Sequence, residues 1–474
     1  MPERQVLAQC APPFDWSYTN MELDDITDTW SAGDRISITG KLTLNESINL
    51  DELHFVMTPN ASIEITGGST IVTAEGGTEF FSCEQQWLGI SVINGATVKF
   101  KETTKIKDAW IGLKFSQGAN NTNSELENTF FINNTHGLAI WSMGNFRFNK
   151  FLGNTIQEDP VEDMLPAASG HPYSGTRPYR GIWIISSNVN LAFGATAQNV
   201  IRRCRYGMAA YGSTVFIENM KFDGNKSDAA VADQLDGTDI WSSETALLLL
   251  GIANLNCIFE SPDYASIVSR RTRALAVVGA IFTNPYSYGI YSSDNKIAAP
   301  VQIIGNTFNM NNNTHFLSAI AVERPPGNVN SLIRNNIANV GISTPYLKPE
   351  KVVIDVLGKQ DAFSTFDIRA NTVTVNTTMN HIHGIRIAGK GENYRIWDQN
   401  NLSYYTSATP TVLRNSLGII AKDLAGGGHE VTNNDVASAL NGNKSFLNAG
   451  IQASNALFSL KICDNTISNT HIGL

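Results

Sequence analysis

The fold is decided by the stretch Asn434-Asp435-Val436, Gly450-Ile451 and Asn465-Thr466-Ile467, in which two short motifs alternate. One motif places an apolar residue two positions after Asn, and the other places an apolar residue directly after Gly. Short runs with alternating apolar residues are typical of β-strands, because successive side chains of a strand point to opposite faces. The stretch therefore predicts a strand at each motif.

The Asn motif recurs through the C-terminal half of the 474-residue chain. Successive copies are 29 to 36 residues apart, with a mean of about 32, which is typical of solenoid repeats. An Asn at a fixed place suits a bend, because Asn tolerates the left-handed region and stacked Asn side chains can hydrogen-bond along a ladder. The copies begin at Asn306, Asn335, Asn371, Asn400, Asn434 and Asn465, with earlier ones at Asn128, Asn154 and Asn199.

The Gly motif falls between the Asn copies and usually opens an alternating run such as Gly181-Ile182-Trp183-Ile184. We expect the Gly to occupy a second bend, just before a strand. A coil this small cannot bury its own apolar face, so coils must stack on one another. The other copies begin at Gly137, Gly207, Gly289, Gly384, Gly418 and Gly450.

Together the two motifs predict an all-β chain, wound as a right-handed parallel β-helix with an N-terminal cap. Helical folds are disfavoured because Gly and Asn interrupt nearly every window of apolar periodicity. A chain of β-sandwiches would explain the strands but not the ordered recurrence of the motifs. We expect residues 1–34 to form the cap and residues 35–474 the helix. The pattern stops inside a repeat, which favours a chain truncated at its C-terminal end; a true terminus with an unusual cap is the alternative. The Asn motif fades in residues 221–280.

The amino-acid composition argues against some classes of binding partner. The net charge is −9 and only 16% of residues are charged, which is unlike a nucleic-acid-binding domain. No run reaches the about 20 apolar residues of a membrane span, and no signal peptide follows Met1. Five widely spaced cysteines favour buried thiols, with a Cys10–Cys83 bridge as an alternative that would pin the N-terminal segment. We expect a monomer.

A family resemblance rests on Trp87–Val92, Ala96–Phe100 and Ile106–Leu113, preceded by Asn60–Ile63 and Gly67–Thr70. These segments resemble secreted bacterial proteins with parallel β-helix repeats, many of which carry a C-terminal sorting domain. The resemblance implies a pectate-lyase-like fold and a secreted or cell-surface location. It does not imply an activity, because such proteins include lyases, hydrolases, adhesins and unassigned surface proteins.

The first candidate site is an acidic stretch with five aspartates in 17 positions. Oxygen ligands of this kind suit calcium, and calcium beside an arginine suits a uronate lyase, because the metal stabilises the enolate while a base removes the α-proton. A solvated acidic loop and a structural calcium site are the alternatives. The predicted metal ligands are Asp223, Asp228, Asp233, Asp236 and Asp239, and the predicted catalytic residues are Asp223, Asp228, Asp236 and Arg271.

The second candidate site is a long insertion from Gln157 to Arg180. Loops of this length are uncommon unless they are functional. Aromatic residues in and beside it predict a sugar-stacking surface, and packing between coils is the alternative. The predicted ligand-binding residues are Tyr179, Trp183 and Trp241, accompanied by Tyr173 and Trp141.

Known catalytic motifs are missing. The pair His383-Gly384 and Arg386-Ile387 resembles part of a polygalacturonase motif, but the two elements are too close together. We therefore expect a non-catalytic extracellular module for surface display, adhesion or glycan binding, with polysaccharide or cell-surface glycan as its partner. The alternative is a polysaccharide lyase or glycoside hydrolase that acts on an acidic polysaccharide in a groove on the helix face.

Overall fold

A computed structural model gives the architecture of the chain, which divides into two compact units, residues 1–237 and residues 238–474. Each unit is described by itself. The described residues are 10–116, 118–119, 123–171, 173, 175–192, 197–228, 235–251, 256–296, 300–311, 315–324, 330–342, 351–358, 365–377, 382–390, 393–405, 416–438, 440–441, 444–445, 447–456 and 460–472.

The described residues of unit 1 form short strands and one 3₁₀ turn, Leu23–Asp25. Its strands are β1 Trp16–Glu22, β2 Arg35–Leu44, β3 Ile48–Asp51, β4 His54–Met57, β5 Ser62–Ile65, β6 Ile71–Glu75, β7 Glu79–Ser82, β8 Trp87–Val92, β9 Thr97–Phe100, β10 Lys105–Lys107, β11 Ala109–Ser116, β12 Glu125–Glu127, β13 Phe130–Ile132, β14 His136–Trp141, β15 Asn145–Arg147, β16 Lys150–Leu152, β17 Thr155–Gln157, β18 Arg180–Ile185, β19 Asn188–Leu191, β20 Asn199–Arg202, β21 Tyr206–Tyr211, β22 Thr214–Ile217 and β23 Met220–Asp223.

Unit 2 continues the same alternation of short strands and bends. Its strands are β24 Thr238–Ser243, β25 Ala246–Leu250, β26 Ile258–Glu260, β27 Ala265–Arg270, β28 Ala274–Val278, β29 Ile281–Thr283, β30 Tyr288–Ser293, β31 Val301–Ile304, β32 Thr307–Asn311, β33 Ser318–Glu323, β34 Asn330–Arg334, β35 Ile337–Ile342, β36 Lys351–Gly358, β37 Thr365–Arg369, β38 Thr372–Thr377, β39 Ile382–Lys390, β40 Tyr394–Trp397, β41 Asn401–Tyr405, β42 Leu417–Ala425, β43 His429–Thr432, β44 Asp435–Ser438, β45 Leu440–Asn441, β46 Lys444–Ser445, β47 Leu447–Ser454, β48 Leu460–Cys463, β49 Thr466–Ser468 and β50 Thr470–Ile472.

Each coil contributes strands to three faces, and each strand pairs in parallel with its counterparts one coil away. Only the β45–β46 hairpin is antiparallel among the described strands. The predicted all-β right-handed parallel β-helix is confirmed. In unit 1, face 1 contains β4, β7, β10, β13, β17, β20 and β23, and face 2 contains β5, β8, β11, β14, β18 and β21; in unit 2, face 1 contains β26, β29, β32, β35, β38, β41, β44 and β49, and face 2 contains β24, β27, β30, β33, β36, β39, β42, β47 and β50.

The core consists of columns of identical or similar side chains in register. In unit 2, isoleucines occupy one inward position of face 2 on eight successive coils. Each is at most 1% exposed, and burying such a side chain is worth about 1.5–3 kcal/mol relative to leaving it in water. The column is Ile240, Ile267, Ile290, Ile320, Ile354, Ile385, Ile419 and Ile451.

An asparagine ladder marks the bend before face 1 in unit 2, as predicted. The Nδ2 of each Asn donates to the Oδ1 of the next, at distances of 2.8 to 3.0 Å. The left-handed conformation falls on the residue before the ladder Asn, such as Asn335 before Asn336. The predicted repeat that begins at Asn335 therefore starts one residue too early, because Asn336 is the ladder residue. The ladder is Asn306, Asn336, Asn371, Asn400, Asn434 and Asn465.

Other residues occupy the ladder position where the Asn motif fades. In unit 1, Asn154 donates to Asn199 at 2.9 Å, and Met220 stands opposite Asn199 on the next coil. In unit 2, Cys257 and Ala280 precede β26 and β29, at the place where Asn306 precedes β32. Small or apolar residues thus replace Asn without ending the coil.

The glycines of the Gly motif are required for a different structural reason from the predicted one. Gly418 lies inside β42, and a Cβ there would meet the carbonyl oxygen of Gly450 at 2.5 Å. Gly181 has the same relation to Gly207, also at 2.5 Å. The prediction that these glycines occupy a bend is wrong. They are needed because the backbone of the next coil approaches too closely for a side chain.

The N-terminal segment is fixed to unit 1 by pairing and by a covalent bond. Strand β1 pairs in parallel with β2, Trp16 opposite Ile36. Cys10 and Cys83 form a disulfide, which confirms that alternative, and Cys204 and Cys257 are buried cysteines outside that disulfide.

Candidate functional site

The insertion of residues 158–179 connects β17 on face 1 to β18 on face 2 of unit 1. It extends along the bend between these faces across several coils. The backbone N–H of Ser169 donates to Oδ1 of Asn60 at 3.1 Å, and the N–H of Thr176 donates to Oδ2 of Asp228 at 2.6 Å. Its contacts therefore reach from residue 60 to residue 228, and it borders face 2 beside β14 and β18.

Trp183 lies at the centre of the outward-facing side chains beside this insertion. Its ring centroid is 4.5 Å from that of His136 and 4.7 Å from that of Trp141. The guanidinium carbon of Arg180 is 4.4 Å from the same ring. We call Trp183, His136, Trp141 and Arg180 the Trp183 cluster.

Two members of the Trp183 cluster have buried hydrogen-bonding groups without a described partner, and a third, Arg180, has no described ion pair. Nδ1 of His136 and Nε1 of Trp141 are buried and have no partner among the described residues. Arg180 forms no ion pair or side-chain hydrogen bond within the described part of the chain. Buried polar groups are almost always satisfied in proteins, so these two groups are candidates for hydrogen bonds to a ligand.

Burial and charge fix the protonation states in the cluster. Burial, and then the positive charge of Arg180, hold the pKa of His136 well below its usual value. Burial also lowers the pKa of Arg180, against the effect of the neighbouring Tyr179. His136 is therefore neutral at neutral pH, and Arg180 remains the cation of the cluster.

Arg205 is the neighbouring arginine, and its charge is neutralised. Its Nε and one terminal nitrogen donate to the two carboxylate oxygens of Asp236 at 3.0 and 2.8 Å. Both side chains are almost completely buried, at 3% and 2% exposure. Tyr179 lies between the two arginines, with the guanidinium carbon of Arg180 at 4.0 Å and that of Arg205 at 4.8 Å from its ring.

The predicted acidic residues take separate structural positions. Asp236 pairs with Arg205, Asp228 accepts from Thr176, and Asp223 ends β23. Within the described residues no group of three or more His, Cys, Asp or Glu side chains is placed to hold a metal ion. Asp233 lies outside the described residues. The calcium site and the catalytic role of these aspartates stay predictions.

The other predicted residues lie in unit 2. Asp239 is buried in β24, and Trp241 is half-buried on the same strand. Arg271 is 69% exposed, and one of its terminal nitrogens lies 3.4 Å from Glu244.

The polygalacturonase-like pair also has structural partners within unit 2. Arg386 forms a two-pronged pair with Asp355 at 2.8 and 2.7 Å. His383 accepts from the backbone N–H of Leu417 at 3.2 Å. These contacts fit the plain interpretation of a coil with an outward arginine.

Sequence reasoning identified Trp183, Tyr179 and Trp141 but missed His136 and Arg180. Both lie next to predicted features, since Arg180 ends the insertion and His136 precedes Gly137 of the Gly motif. The strand register is the signal that could have identified these two residues, because β14 and β18 place His136 opposite Arg180 and Ala139 opposite Trp183.

Comparisons with known proteins do not indicate a function for this chain. No protein-family model matches the chain, and the curated proteins give no significant sequence match. Over the described residues, no helix combines the length and apolar character needed to cross a membrane.

Proposed function

We propose that this protein is an extracellular glycan-binding module, and that the Trp183 cluster on face 2 of unit 1 is its binding surface. The β-helix serves as a rigid support for this surface. The observation that carries the proposal is the placement of two buried groups without a described hydrogen-bond partner, Nδ1 of His136 and Nε1 of Trp141, beside the ring of Trp183, on which Arg180 also lies.

A sugar fits the mixed character of the cluster. Aromatic rings supply large, rigid contact area to the apolar face of a ligand. N–H groups beside the rings supply directional hydrogen bonds to hydroxyl oxygens. Specific sites combine apolar walls with a few placed polar groups in this way.

The extracellular location has separate support. The Cys10–Cys83 disulfide closes a loop across 73 positions, and structural disulfides persist in oxidising compartments. The resemblance to secreted bacterial proteins with pectate-lyase-like β-helices points to the same location. Surface display or adhesion is then the natural setting for glycan binding.

The test is a glycan array followed by titration calorimetry on the best ligand. We expect Trp183→Ala to weaken binding about tenfold or more, because central aromatic contacts dominate binding energy. Trp397→Ala removes a half-buried tryptophan from β40 in unit 2 and should leave binding unchanged. Equal loss in both variants, or no ligand on the array, would contradict the proposal.

The same ligands test the enzymatic alternative. Incubation with polyuronates, with and without calcium, would release unsaturated products if the protein were a lyase. Product release that is lost in Asp223→Ala and Arg271→Ala would replace the binding proposal with a lyase.

A further inference from the structure

We propose that a third face of unit 2 carries a separate binding site, in which Arg334 and Arg369 hold the phosphate group of a phosphate monoester. This face, which we call face 3, contains β25, β28, β31, β34, β37, β40, β43 and β48. The site differs from the Trp183 cluster in its unit, its face and its ligand. The inference therefore does not depend on glycan binding.

The first argument is that Arg334 and Arg369 occupy the same outward position on adjacent coils. Strands β34 and β37 place them directly opposite each other, where neighbouring strands are about 4.8 Å apart. Like charges directly opposite each other on neighbouring strands are destabilising. Neither arginine forms an ion pair with any residue that the structure describes. An anion held between the two side chains would offset this repulsion.

The second argument is that the neighbouring outward column of face 3 alternates in charge. Asp367, Arg395, Glu430 and Lys461 stand opposite one another on four successive coils. The charges of Asp367 and Arg395 lie 2.9 Å apart. Opposite charges are thus paired in one column, whereas two like charges are set side by side in the column of Arg334 and Arg369.

The third argument is that Trp397 continues the column of the two arginines on the next coil. The guanidinium carbon of Arg369 is 5.4 Å from the ring of Trp397, within the range of cation–π attraction. Nε of Arg369 and Nε1 of Trp397 are buried and have no hydrogen-bond partner in the described part of the chain. Both groups can only donate, so a ligand that satisfies them must accept hydrogen bonds.

A phosphate group matches these donors better than a carboxylate does. Guanidinium groups offer paired donors to the oxygens of phosphate. A phosphate monoester has three acceptor oxygens and carries close to two negative charges at neutral pH, because its second pKa is about 6. Its charge therefore balances both arginines, whereas a carboxylate would balance only one.

Apolar side chains continue the same column on the preceding coils. Ile304 stands opposite Arg334, and Val278 and Leu250 follow on the next two coils. Leu250 is 38% exposed, and Val278 and Ile304 are half-buried. Contact with these side chains would remove the organic part of an ester from water. We therefore expect an ester with an apolar group to bind in preference to free phosphate.

The experiment measures the binding of phenyl phosphate, phenyl sulfate and inorganic phosphate by titration calorimetry at neutral pH and constant ionic strength. Phenyl sulfate has the same ring but only a single negative charge, and inorganic phosphate lacks the ring. We expect phenyl phosphate to bind at least about tenfold more tightly than either of the other two probes. Only phenyl phosphate combines the charge that balances both arginines with a ring for the apolar side chains.

The variants test the two arginines one at a time. Arg369→Gln and Arg334→Gln should each weaken the binding of phenyl phosphate about tenfold or more, and Arg369→Lys should recover part of the loss. Arg324→Gln is the matched control, because it removes the same charge from an arginine of unit 2 that pairs with Asp294. It should leave binding unchanged, and so should Trp183→Ala. Thermal melting checks folding, and the exposed position of Arg334 keeps the test decisive if Arg369→Gln is unstable.

Each outcome decides one part of the proposal. A loss confined to the variants of Arg334 and Arg369 would support the site. No binding of phenyl phosphate, or an equal loss in Arg324→Gln, would overturn it. Equal affinity for phenyl sulfate would overturn the assignment of a doubly charged phosphate, and equal affinity for inorganic phosphate would overturn the role of the apolar side chains. The glycan proposal stands or falls separately, on the binding of glycans to Trp183→Ala.

Discussion

Two outward arginines on face 2, one in each unit, have opposite surroundings. In unit 2, Arg386 forms a two-pronged pair with Asp355. In unit 1, Arg180 has aromatic rings at 4.0 and 4.4 Å but no acid among the described residues. An outward arginine thus stabilises the fold where it pairs with an acid. It is a candidate for ligand binding where the described residues offer it no acidic partner.

The largest effect that sharpens this comparison is expected at a paired arginine. Asp236→Asn would leave Arg205 buried without its counter-charge, and breaking such a pair typically costs about 3–5 kcal/mol. Arg180→Gln breaks no pair and should change the free energy of unfolding by less than about 1 kcal/mol. Chemical denaturation of both variants checks the contrast. Similar losses would mean that Arg180 is as structural as Arg205.

The next effect concerns the asparagine ladder of unit 2. Asn371→Ala removes the donor to Asn400 and the acceptor from Asn336, leaving buried groups unsatisfied. We expect a loss of about 2–4 kcal/mol in the free energy of unfolding. Asn339→Ala, at a half-buried position on β35, is the control and should cost less than about 1 kcal/mol. Equal costs would show that the ladder adds no special stability.

A pH effect on stability is expected in unit 1, where His136 is buried with a lowered pKa. Unfolding lets His136 bind a proton below its usual pKa of about 6.5, whereas the folded state does not bind one. Stability should therefore fall as pH drops below about 6.5, by up to about 1.4 kcal/mol per pH unit until the folded pKa is reached. Denaturation between pH 4 and pH 8 measures this slope, and His136→Phe should reduce it. An unchanged slope in the variant would contradict the assignment.

The smallest effect is expected at an exposed pair in unit 2. Arg324 and Asp294 are 54% and 44% exposed, and exposed ion pairs contribute about 0–1 kcal/mol. Arg324→Gln should thus leave the melting temperature within experimental error. A large drop would show that exposure is a poor guide to the role of arginines in this protein.

The sequence was sufficient for the fold because each coil repeats the same physical requirements. Each coil needs an Asn at the bend and a Gly where the backbone of the next coil approaches closely. Both residues therefore recur periodically in the sequence. The role of each residue within the Asn motif was harder to predict from the sequence. The ladder Asn and the left-handed residue before it are adjacent, and Asn335-Asn336 offers the same residue type for both.

The candidate site was only partly predictable because it does not repeat. Trp183 and Tyr179 were found as aromatic residues near a long insertion. The importance of Arg180 and His136 depends on which acids stand near them, and Asp236 lies 31 positions after the arginine that it neutralises. Only the folded coil shows that Arg205 has this partner and that Arg180 has none among the described residues.

A crystal structure of the protein with the best ligand from the glycan array would show the binding surface itself. We expect a sugar ring against Trp183, with a hydroxyl oxygen of the sugar within hydrogen-bonding distance of the Arg180 guanidinium. A ligand bound elsewhere on the β-helix, with Arg180 contacting only water, would overturn the proposed binding surface.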